Sequence, residues 1–413
     1  MIIRQLVPTA EDLTVKDILA PFEVPTASPS MPFDDDAISL AVALGRRLST
    51  DREARRQPAL QALAFWMRKA ELLRLRESAM RLEEDGTILV PRGTVFHLPP
   101  ANVDTLFVYS WLLALLAGNR NIVRLSSRGS GQAELLVRVV NEVLTEHAGS
   151  PAADGTVMLS YGRDAVITGA LSAVCDVRVI WGGDTTVHAV RKVPLPARAI
   201  ELAFPDRYSF AAIDAMTVLG LEAPALAELA DKFYNDTYWF DQLGCSSPRV
   251  VAWVGEASAH EAAARFALAL HSRIQARGYH VDVGTALAKR TFAFRAAIDT
   301  PVTAVHWVAN ELAIIDLDNL DGLGRDHPGG GTMFQVCIPS LDSLAQVLTA
   351  RDQTLSHFGF SREVLVGFVR RLGARAFDRL VPMGTALQFN RMWDGFDLIA
   401  QFTRHVSVVG SDK

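Results

Sequence analysis

The sequence predicts an α/β protein built on two open parallel sheets, and three observations lead to that prediction. β-prone apolar runs alternate with helical segments from residue 87 onwards, a pattern typical of parallel sheets covered by helices on both faces. The alternation forms two series, separated by a change in composition near residues 235–245. The chain has 413 residues, of which 49% are apolar and 21% charged, so it is long enough to bury two cores. We therefore expect two domains.

The elements follow in order along the chain. Residues 1–85 are predicted to be mostly helical, with a loop at residues 25–32, which are rich in Pro and Ser. Charged residues interleave with leucines over residues 58–81, which predicts an amphipathic helix. The first alternating series then predicts strands at 94–98, 121–125, 156–160 and 177–181 and helices at 103–117, 132–147 and 164–173. After a helix at 223–238, the second series has segments at 249–254, 257–275, 304–308, 312–317, 333–338 and 341–350.

Composition excludes several classes of function. A formal net charge of −5 provides no basic field for nucleic acid, so no nucleic-acid partner is expected. The three cysteines form no C-x-x-C pair and have no Cys/His spacing typical of zinc, which argues against a disulfide framework and a structural metal. This cysteine usage predicts a reducing, cytoplasmic location. The start of the chain has no signal-peptide pattern, and the longest apolar run is too short to span a bilayer.

Cys245 is the candidate for a reactive group. It lies on a turn of small residues, Gly244, Ser246 and Ser247, between a predicted helix and a β-branched run. A thiolate attacks carbonyl carbon well, and small neighbours allow a substrate to approach and leave backbone N–H groups free for an oxyanion. The alternative is a small buried cysteine with no chemical role. Cys175 and Cys337 are predicted to be core residues associated with strands.

Two segments are candidates for nucleotide binding, although the sequence contains neither G-x-G-x-x-G nor a P-loop. Arg124, with Ser126, Ser127 and Arg128 after it, ends the predicted strand 121–125, and open parallel sheets bind ligands at the carboxyl ends of strands. The alternative is a solvated surface arginine.

Gly182 and Gly183 connect a predicted strand to a helix, where backbone N–H groups suit a pyrophosphate. The alternative is an ordinary turn with Asp184 or Thr185 as the helix N-cap.

Short motifs recur in a consistent order along most of the chain. They are Tyr109-Ser110, Ala117-Gly118-Asn119, the run 122–128, Gly182-Gly183 with Arg191, Phe204, Asp206-Arg207, Ser209, Asp241-Gln242, Cys245-Ser246, Pro248, Gln353-Thr354-Leu355, Gly359, Val381-Pro382, the run 384–387, Trp393-Asp394-Gly395, Asp397-Leu398 and Thr403-Arg404. Each motif is weak alone, but together they resemble the aldehyde dehydrogenase superfamily, most closely its LuxC-type branch of fatty-acid and acyl-CoA reductases.

The resemblance implies a fold and a division of roles. The fold would be aldehyde dehydrogenase-like, with two open parallel-sheet, Rossmann-like domains and the active site between them. A dinucleotide-binding domain with a helical N-terminal region would cover residues 1–238, and the catalytic domain would cover residues 239–390. The tail, residues 391–413, would add a strand to a neighbouring subunit's sheet in a homo-oligomer, or form an edge within its own chain.

The resemblance also assigns residues. Cys245 would be the nucleophile, and Asn102 would form the oxyanion hole together with the backbone N–H of the nucleophile. Arg124 takes the place of the lysine that holds the adenosine ribose, and the nearby Ser126 and Ser127 suit a 2′-phosphate, which favours NADPH. Gly182 and Gly183 would lie along the pyrophosphate.

Glu201 is the nearest match to the base that activates water in hydrolytic aldehyde dehydrogenases. Only Glu201 and Leu202 agree with the Glu-Leu-Gly-Gly-Lys segment of those enzymes. The separation of 44 residues between Glu201 and Cys245 is also longer than is usual in them. A structural glutamate is the alternative.

The leading hypothesis is therefore NADPH-dependent reduction of an acyl thioester, carried by CoA or by a protein, to an aldehyde. An aldehyde dehydrogenase working in the oxidative direction and a non-catalytic subunit that retains the fold are the alternatives.

Overall fold

The structure is a computed structural model that describes residues 1–24, 30–83, 87–100, 103–127, 131–375 and 377–409. It divides into two compact units, Met1–Pro205 with Phe389–Lys413, and Asp206–Gln388. This boundary lies earlier in the chain than the predicted one at residues 238/239. Strand pairing explains the difference, because the strand Tyr208–Asp214 is hydrogen-bonded to Pro248–Val254, which follows the candidate nucleophile.

The first unit begins with two strands that precede its helices. In chain order its elements up to residue 205 are β1 (Ile2–Val7), β2 (Glu11–Thr14), α1 (Val15–Glu23), α2 (Asp35–Thr50), α3 (Pro58–Trp66), α4 (Lys69–Met80), β3 (Thr87–Pro91), β4 (Thr94–Leu98), α5 (Thr105–Leu116), β5 (Arg120–Leu125), α6 (Gly131–Glu146), α7 (Pro151–Asp154), β6 (Thr156–Ser160), α8 (Ala165–Ala173), β7 (Val177–Trp181), α9 (Asp184–Arg191) and β8 (Ile200–Phe204).

Over the described residues, the sheet of this unit has seven strands in the order β2-β1-β6-β5-β4-β7-β8. The five strands β6, β5, β4, β7 and β8, which are neighbours in that order, are parallel. β1 pairs antiparallel with both β2 and β6. β4 and β7 are buried along their whole length, as expected of central parallel strands. The sheet order places the carboxyl ends of β5 and β7 on either side of β4.

The second unit contains the candidate nucleophile. Its elements are β9 (Tyr208–Asp214), α10 (Ala215–Leu219), α11 (Ala223–Tyr238), β10 (Pro248–Val254), α12 (Glu256–Ala276), α13 (Val283–Asp299), β11 (Val302–Ala309), β12 (Leu312–Leu317), β13 (Thr332–Ile338), β14 (Asp352–Phe358), α14 (Arg362–Leu372) and β15 (Arg379–Pro382). Its sheet, within the described part of the chain, has the order β11-β12-β13-β10-β9-β14-β15. All its neighbouring strands are parallel except the edge pair β11 and β12.

The two faces of this second sheet supply two cores. Successive side chains of a strand point to opposite faces, so Ala211 and Ile213 of β9 join one cluster while Phe210 and Ala212 join the other. Helices cover both faces, and the sheet is therefore rigid on both sides. The parallel register of β9 with β10 and with β14 places the amino ends of these three strands at the same level.

The chain returns to the first unit after residue 388. The returning elements are β16 (Met392–Trp393), β17 (Phe396–Asp397), α15 (Leu398–Phe402) and β18 (Thr403–Ser407). β18 pairs antiparallel with β3 of its own chain. The intrachain strand is thus the alternative that the structure supports, and pairing with a neighbouring subunit stays a prediction.

Most of the predicted segments are confirmed as elements. The N-terminal region is mostly helical as predicted, although it also contains the strands β1 and β2, and β1 buries alternate residues. Two predictions need correction. The predicted helix 58–81 is two helices, since α3 ends at Trp66 and α4 starts at Lys69. Residues 341–350 contain only the short 3₁₀ helix Leu341–Gln346. Among the described residues, no helix is long and apolar enough to cross a membrane.

Candidate active site

Cys245 lies on the loop of residues 239–247, between α11 and β10. Gln242, which is 0% exposed, holds this loop from within. Its Nε2 donates to the Pro248 carbonyl at 2.9 Å, and its Oε1 accepts from the Thr332 N–H at 2.9 Å. Asp241 and Gln242 both have positive φ, at 51° and 61°, a conformation that persists only where the surroundings fix it. The loop is therefore tied to the amino ends of β10 and β13.

Side chains from the amino ends of two strands, β14 and β9, contact Cys245. The residue is partly exposed, and the carboxamide of Gln353 on β14 donates from Nε2 to Sγ at 3.5 Å. Ser209 on β9 donates from Oγ to the Cys245 carbonyl at 2.7 Å and accepts from the Thr354 N–H at 3.2 Å. Ser209 thus joins the nucleophile loop to β14.

Arg249 follows Cys245 by four residues and brings a positive charge close to it. Its Nη1 donates to the Arg207 carbonyl at 2.9 Å and its guanidinium lies over the Tyr208 ring, 5.3 Å from the ring centre. Desolvation lowers the pKa of Arg249, and the charge of Cys245 acts in the opposite direction. An arginine stays protonated despite such a shift. Its charge therefore favours the thiolate form of Cys245.

A second loop, residues 327–331, packs against the nucleophile loop. The Gly330 N–H donates to the Asp241 carbonyl at 2.8 Å, and the buried Lys289 donates from Nζ to the Gly330 carbonyl. His327 Nδ1 accepts from the Gly329 N–H at 3.0 Å while Nε2 donates to the Thr332 carbonyl at 2.7 Å. Burial lowers the pKa of His327 to about 3, with a further contribution from Arg249. The imidazole is neutral and serves to fold the loop.

A third loop, residues 383–388, is anchored by Asp236 of α11. The carboxylate accepts from the Gly384 and Ala386 N–H groups at 2.6 and 2.9 Å. Burial raises the pKa of Asp236 to about 7, against the lowering effect of these two hydrogen bonds. Leu387 on this loop packs so close to Gly244 that a Cβ there would lie 3.2 Å from its Cδ2. A larger residue before the nucleophile would therefore need Leu387 to move by a few tenths of an ångström.

The other two cysteines are in different surroundings. Cys175 is buried, and burial raises the pKa of its thiol to about 12. Cys337 is on β13 as predicted but is partly exposed, with Sγ 3.8 Å from His260 Nδ1. The core prediction for Cys337 is therefore wrong about its burial, because its side chain lies at the margin of a core cluster.

Arg124 is near the carboxyl end of β5, as predicted. It is partly buried, its Nη2 donates to the Tyr161 carbonyl at 3.0 Å, and its guanidinium lies 5.3 Å from the centre of the Tyr161 ring. Desolvation lowers its pKa. Within the described part of the chain, its buried Nε has no hydrogen-bond partner. Ser126 is partly exposed and Ser127 exposed at the same strand end. An orphaned guanidinium donor beside two serines suits the ribose or phosphate of a nucleotide.

Gly182 and Gly183 connect β7 to α9. Gly183 is the N-cap of α9, and among the described side chains none caps this helix start. The alternative prediction of Asp184 or Thr185 as the cap is therefore wrong. Gly182 has a φ of 158°, and a Cβ there would lie 3.3 Å from Thr186 Cβ. The close backbone turn and the uncapped helix start fit a pyrophosphate.

Glu201 lies near the amino end of β8 and forms ion pairs with Arg178 and Arg191. Its Oε2 accepts from Arg178 Nε at 2.9 Å and its Oε1 from Arg191 Nε at 2.9 Å. Arg178 is almost fully buried, so Glu201 compensates its charge. The contacts of Glu201 support the structural alternative, and we assign it no role as a base. Asn102 and Arg128 lie outside the described residues.

Several residues around the sulfur were not assigned roles by sequence reasoning. Gln353, Ser209 and Gln242 were noted only as members of short motifs, and Asp236 gave no signal because it is one of four charged residues in its helix. The one available signal was the order of the motifs that contain Ser209, Cys245 and Gln353. Their mutual contacts depend on strand order in the sheet.

Comparison with known proteins identifies the family. The model of the family described as acyl-CoA reductase (LuxC) matches residues 75–405. A long-chain acyl-protein thioester reductase 2 of Photobacterium leiognathi is 27% identical over 167 residues, which are 40% of this chain and 33% of that protein. A long-chain acyl-protein thioester reductase of Aliivibrio fischeri is 26% identical over 166 residues, with the same coverage. The match therefore spans about a third of the length of these relatives.

Solved structures show the same fold at low sequence identity. Aldehyde dehydrogenase 21 of Physcomitrella patens superimposes with a TM-score of 0.66 at 10% identity, covering 95% of this chain and 90% of that one. A putative aldehyde dehydrogenase of Burkholderia cenocepacia gives a TM-score of 0.64 at 14% identity, covering 99% and 95%. The predicted aldehyde dehydrogenase-like α/β fold is confirmed. Because the family model matches most of its length, this chain belongs to the acyl-CoA reductase (LuxC) family.

Proposed function

We propose that this protein reduces an acyl thioester to an aldehyde with NADPH, through an acyl group bound to Cys245. The observation that carries the proposal is the environment of Cys245, a partly exposed residue whose sulfur accepts a hydrogen bond from the Gln353 amide. It lies on a loop held by Gln242. A thiol so placed is built for attack on a carbonyl carbon.

Acylation uses residues of the second unit. The Cys245 thiolate attacks the thioester carbonyl, the carrier thiolate leaves, and an enzyme thioester remains. Arg249 supplies a positive charge close to the thiolate. The negative oxygen of each tetrahedral species needs donors, and we assign this role to the backbone N–H of Cys245 and, from the resemblance, to Asn102, at about 3 kcal/mol for each donor.

Cofactor binding uses residues of the first unit. Arg124, Ser126 and Ser127 would hold the adenosine ribose with its 2′-phosphate, and Gly182 and Gly183 would lie along the pyrophosphate. When bound, the reduced nicotinamide supplies the hydride that converts the thioester carbonyl to the aldehyde oxidation level. The Cys245–carbon bond then breaks, its electron pair returns to sulfur, and the aldehyde leaves.

The substrate class follows from the family and the relatives. The family description names acyl-CoA, and the two curated relatives are named for long-chain acyl groups on protein. We therefore propose an acyl thioester of CoA or of an acyl-carrying protein as substrate, and a homo-oligomeric enzyme. Hydrolytic release is disfavoured because the contacts of Glu201 are ion pairs with Arg178 and Arg191.

Mass spectrometry tests the proposal directly. Incubation of the protein with a panel of acyl-CoA thioesters, without nucleotide, should add an acyl group to the peptide that contains Cys245. Addition of NADPH should then remove the group and yield the aldehyde. An acyl group on another residue, or one released by water at the same rate without NADPH, would contradict the proposal. The oxidative alternative predicts NADPH formation from aldehyde in the absence of any thiol.

A further inference from the structure

Gln353 is the residue whose side chain contacts the Cys245 sulfur from a distant part of the sequence. It is 1% exposed and lies on β14, one residue after the strand begins. β14 and β10 both pair with β9 in parallel register, Pro248 with Ser209 and Asp352 with Tyr208. This register brings the Gln353 carboxamide to the level of the nucleophile loop.

Neighbouring hydroxyl groups determine how the carboxamide is oriented. Ser246 donates from Oγ to Gln353 Oε1 at 2.8 Å, and Thr354 donates from Oγ1 to the same oxygen at 3.4 Å. The carboxamide oxygen is an acceptor only, so these two donors hold it on their side. The NH₂ group is consequently turned toward the sulfur, with Nε2 3.5 Å from Sγ.

We propose that Gln353 is a catalytic hydrogen-bond donor to the thiolate of Cys245, an inference that rests on the proposed function only in taking Cys245 as the nucleophile. A hydrogen bond from N–H to sulfur is stronger when the sulfur is negative than when it is a thiol or a thioester. Gln353 therefore stabilises the sulfur in the two states that carry charge. One is the free nucleophile before attack, and the other is the leaving thiolate when the carbon–sulfur bond breaks.

The electron balance of both steps is simple. In acylation, a sulfur lone pair forms the new carbon–sulfur bond and the carrier thiolate takes the pair of the bond that breaks. In product release, the oxyanion re-forms the carbonyl and the carbon–sulfur pair returns to Cys245. No proton moves to or from Gln353, because a carboxamide does not titrate in this range.

The pH dependence of alkylation measures the proposed role without any reductase assay. Iodoacetamide reacts with the thiolate, so the midpoint of its rate against pH reports the thiol pKa. Replacement Gln353→Leu should raise the Cys245 midpoint by about one pH unit and slow alkylation at pH 7 about tenfold, without lowering the plateau at high pH. Peptide mass spectrometry separates Cys245 from Cys175 and Cys337.

A second variant retains the size of the side chain and reverses its polarity. Gln353→Glu keeps an acceptor for Ser246 but turns a carboxylate oxygen toward the sulfur, so the midpoint should rise further than in Gln353→Leu. The matched control is Gln335→Leu on β13. Gln335 donates to Asp316 and accepts from Trp253, and its loss should leave the Cys245 midpoint unchanged.

The order of the midpoints decides the outcome. Wild type below Gln353→Leu below Gln353→Glu supports the inference, whereas equal midpoints in all three proteins, or an equal rise in Gln335→Leu, would overturn it. If Gln353→Leu does not fold, Gln353→Met, which has a similar length and no N–H donor, keeps the test decisive, because its midpoint should also rise above that of wild type. If the midpoints follow the expected order but Cys245 accepts no acyl group from any thioester, the role of Gln353 is upheld and the proposed function is refuted.

Discussion

In the first unit the candidate cofactor residues follow the parallel strands, whereas in the second unit the candidate nucleophile and its neighbours precede them. Arg124 is near the carboxyl end of β5, and Gly182 comes directly after β7. Cys245 comes before β10, and Gln353 is near the amino end of β14. The two sheets therefore carry their candidate site residues at opposite ends of their strands.

The difference has a physical basis in what each edge offers. At a carboxyl edge, strands lead into helices whose first N–H groups and positive end attract phosphate. At an amino edge, the incoming loops must be held by side chains. In this protein Gln242 ties its own loop to the first residues of β10 and β13, whereas Ser209 and Asp236 bind backbone groups of the nucleophile loop and of residues 383–388. In the proposed function, the helix start at Gly182 and Gly183 and the side chain of Arg124 would bind the cofactor in the first unit, and buried side chains hold the loop of the candidate nucleophile in the second.

The strongest test of this division removes the sulfur. Cys245→Ala should abolish acylation and lower the rate of NADPH oxidation with acyl-CoA by at least about 10³-fold, because the covalent intermediate is lost. Nucleotide affinity, which we assign to the first unit, should change by less than about twofold. Stopped-flow absorbance and fluorescence titration of NADPH measure the two quantities.

The matched control is Cys337→Ala, which removes the other partly exposed thiol on the same sheet. It should retain full turnover. Turnover that survives Cys245→Ala, or disappears in Cys337→Ala, would place the covalent chemistry elsewhere.

The same division explains how far the sequence could predict this protein. The carboxyl-edge residues are adjacent in the chain, so Arg124 with Ser126 and Gly182 with Gly183 could be recognised as short motifs. The partners of Cys245 could not, since Gln353 is 108 residues away and meets the sulfur only through the order β10-β9-β14. Alternating segments predicted most of the strands of both sheets. β1 was missed because its short pattern lies in a helix-rich region, and β14, which carries Gln353, was not among the predicted segments.

A carboxylate in the second unit gives the next effect in size. Burial raises the pKa of Asp236 to about 7 from its usual 3.8. Because the pKa of Asp236 is higher in the folded than in the unfolded protein, the contribution of its protonated form to stability is complete below about pH 4. That contribution is lost as the pH rises toward 7. Wild type should therefore lose about 3 kcal/mol of local stability between pH 5 and pH 8, and Asp236→Asn should lose less. Hydrogen exchange of peptides from α11 and residues 383–388 measures the change, and equal losses in both proteins would reject it.

A buried histidine in the first unit should show the opposite sign. His97 Nε2 donates to Asn121 Oδ1 at 3.0 Å, Ser110 Oγ lies 2.8 Å from Nδ1, and burial lowers the pKa of His97 to about 4. A lowered histidine pKa means that stability is complete above about pH 6.5 and is lost as the pH falls toward 4. The protection free energy of amides in β4 and α5, obtained from exchange rates corrected for the intrinsic rate at each pH, should fall by about 2 kcal/mol from pH 7 to pH 5. Since His97→Gln cannot gain a proton there, the fall should be smaller in that variant.

The smallest expected effect is that of Arg124 on the preference of the first unit for NADPH over NADH. If the orphaned Nε of Arg124 meets a 2′-phosphate, Arg124→Ala should weaken NADPH binding about tenfold or more and NADH binding much less. Equal weakening of both would indicate contact with the ribose alone, and no weakening would remove Arg124 from the cofactor site. The extent of Cys245 acylation should stay unchanged, since that step needs no nucleotide. Arg124→Lys separates charge from geometry, because a lysine retains the positive charge but not the planar donors. An NADPH affinity between those of wild type and Arg124→Ala would show that both charge and geometry contribute.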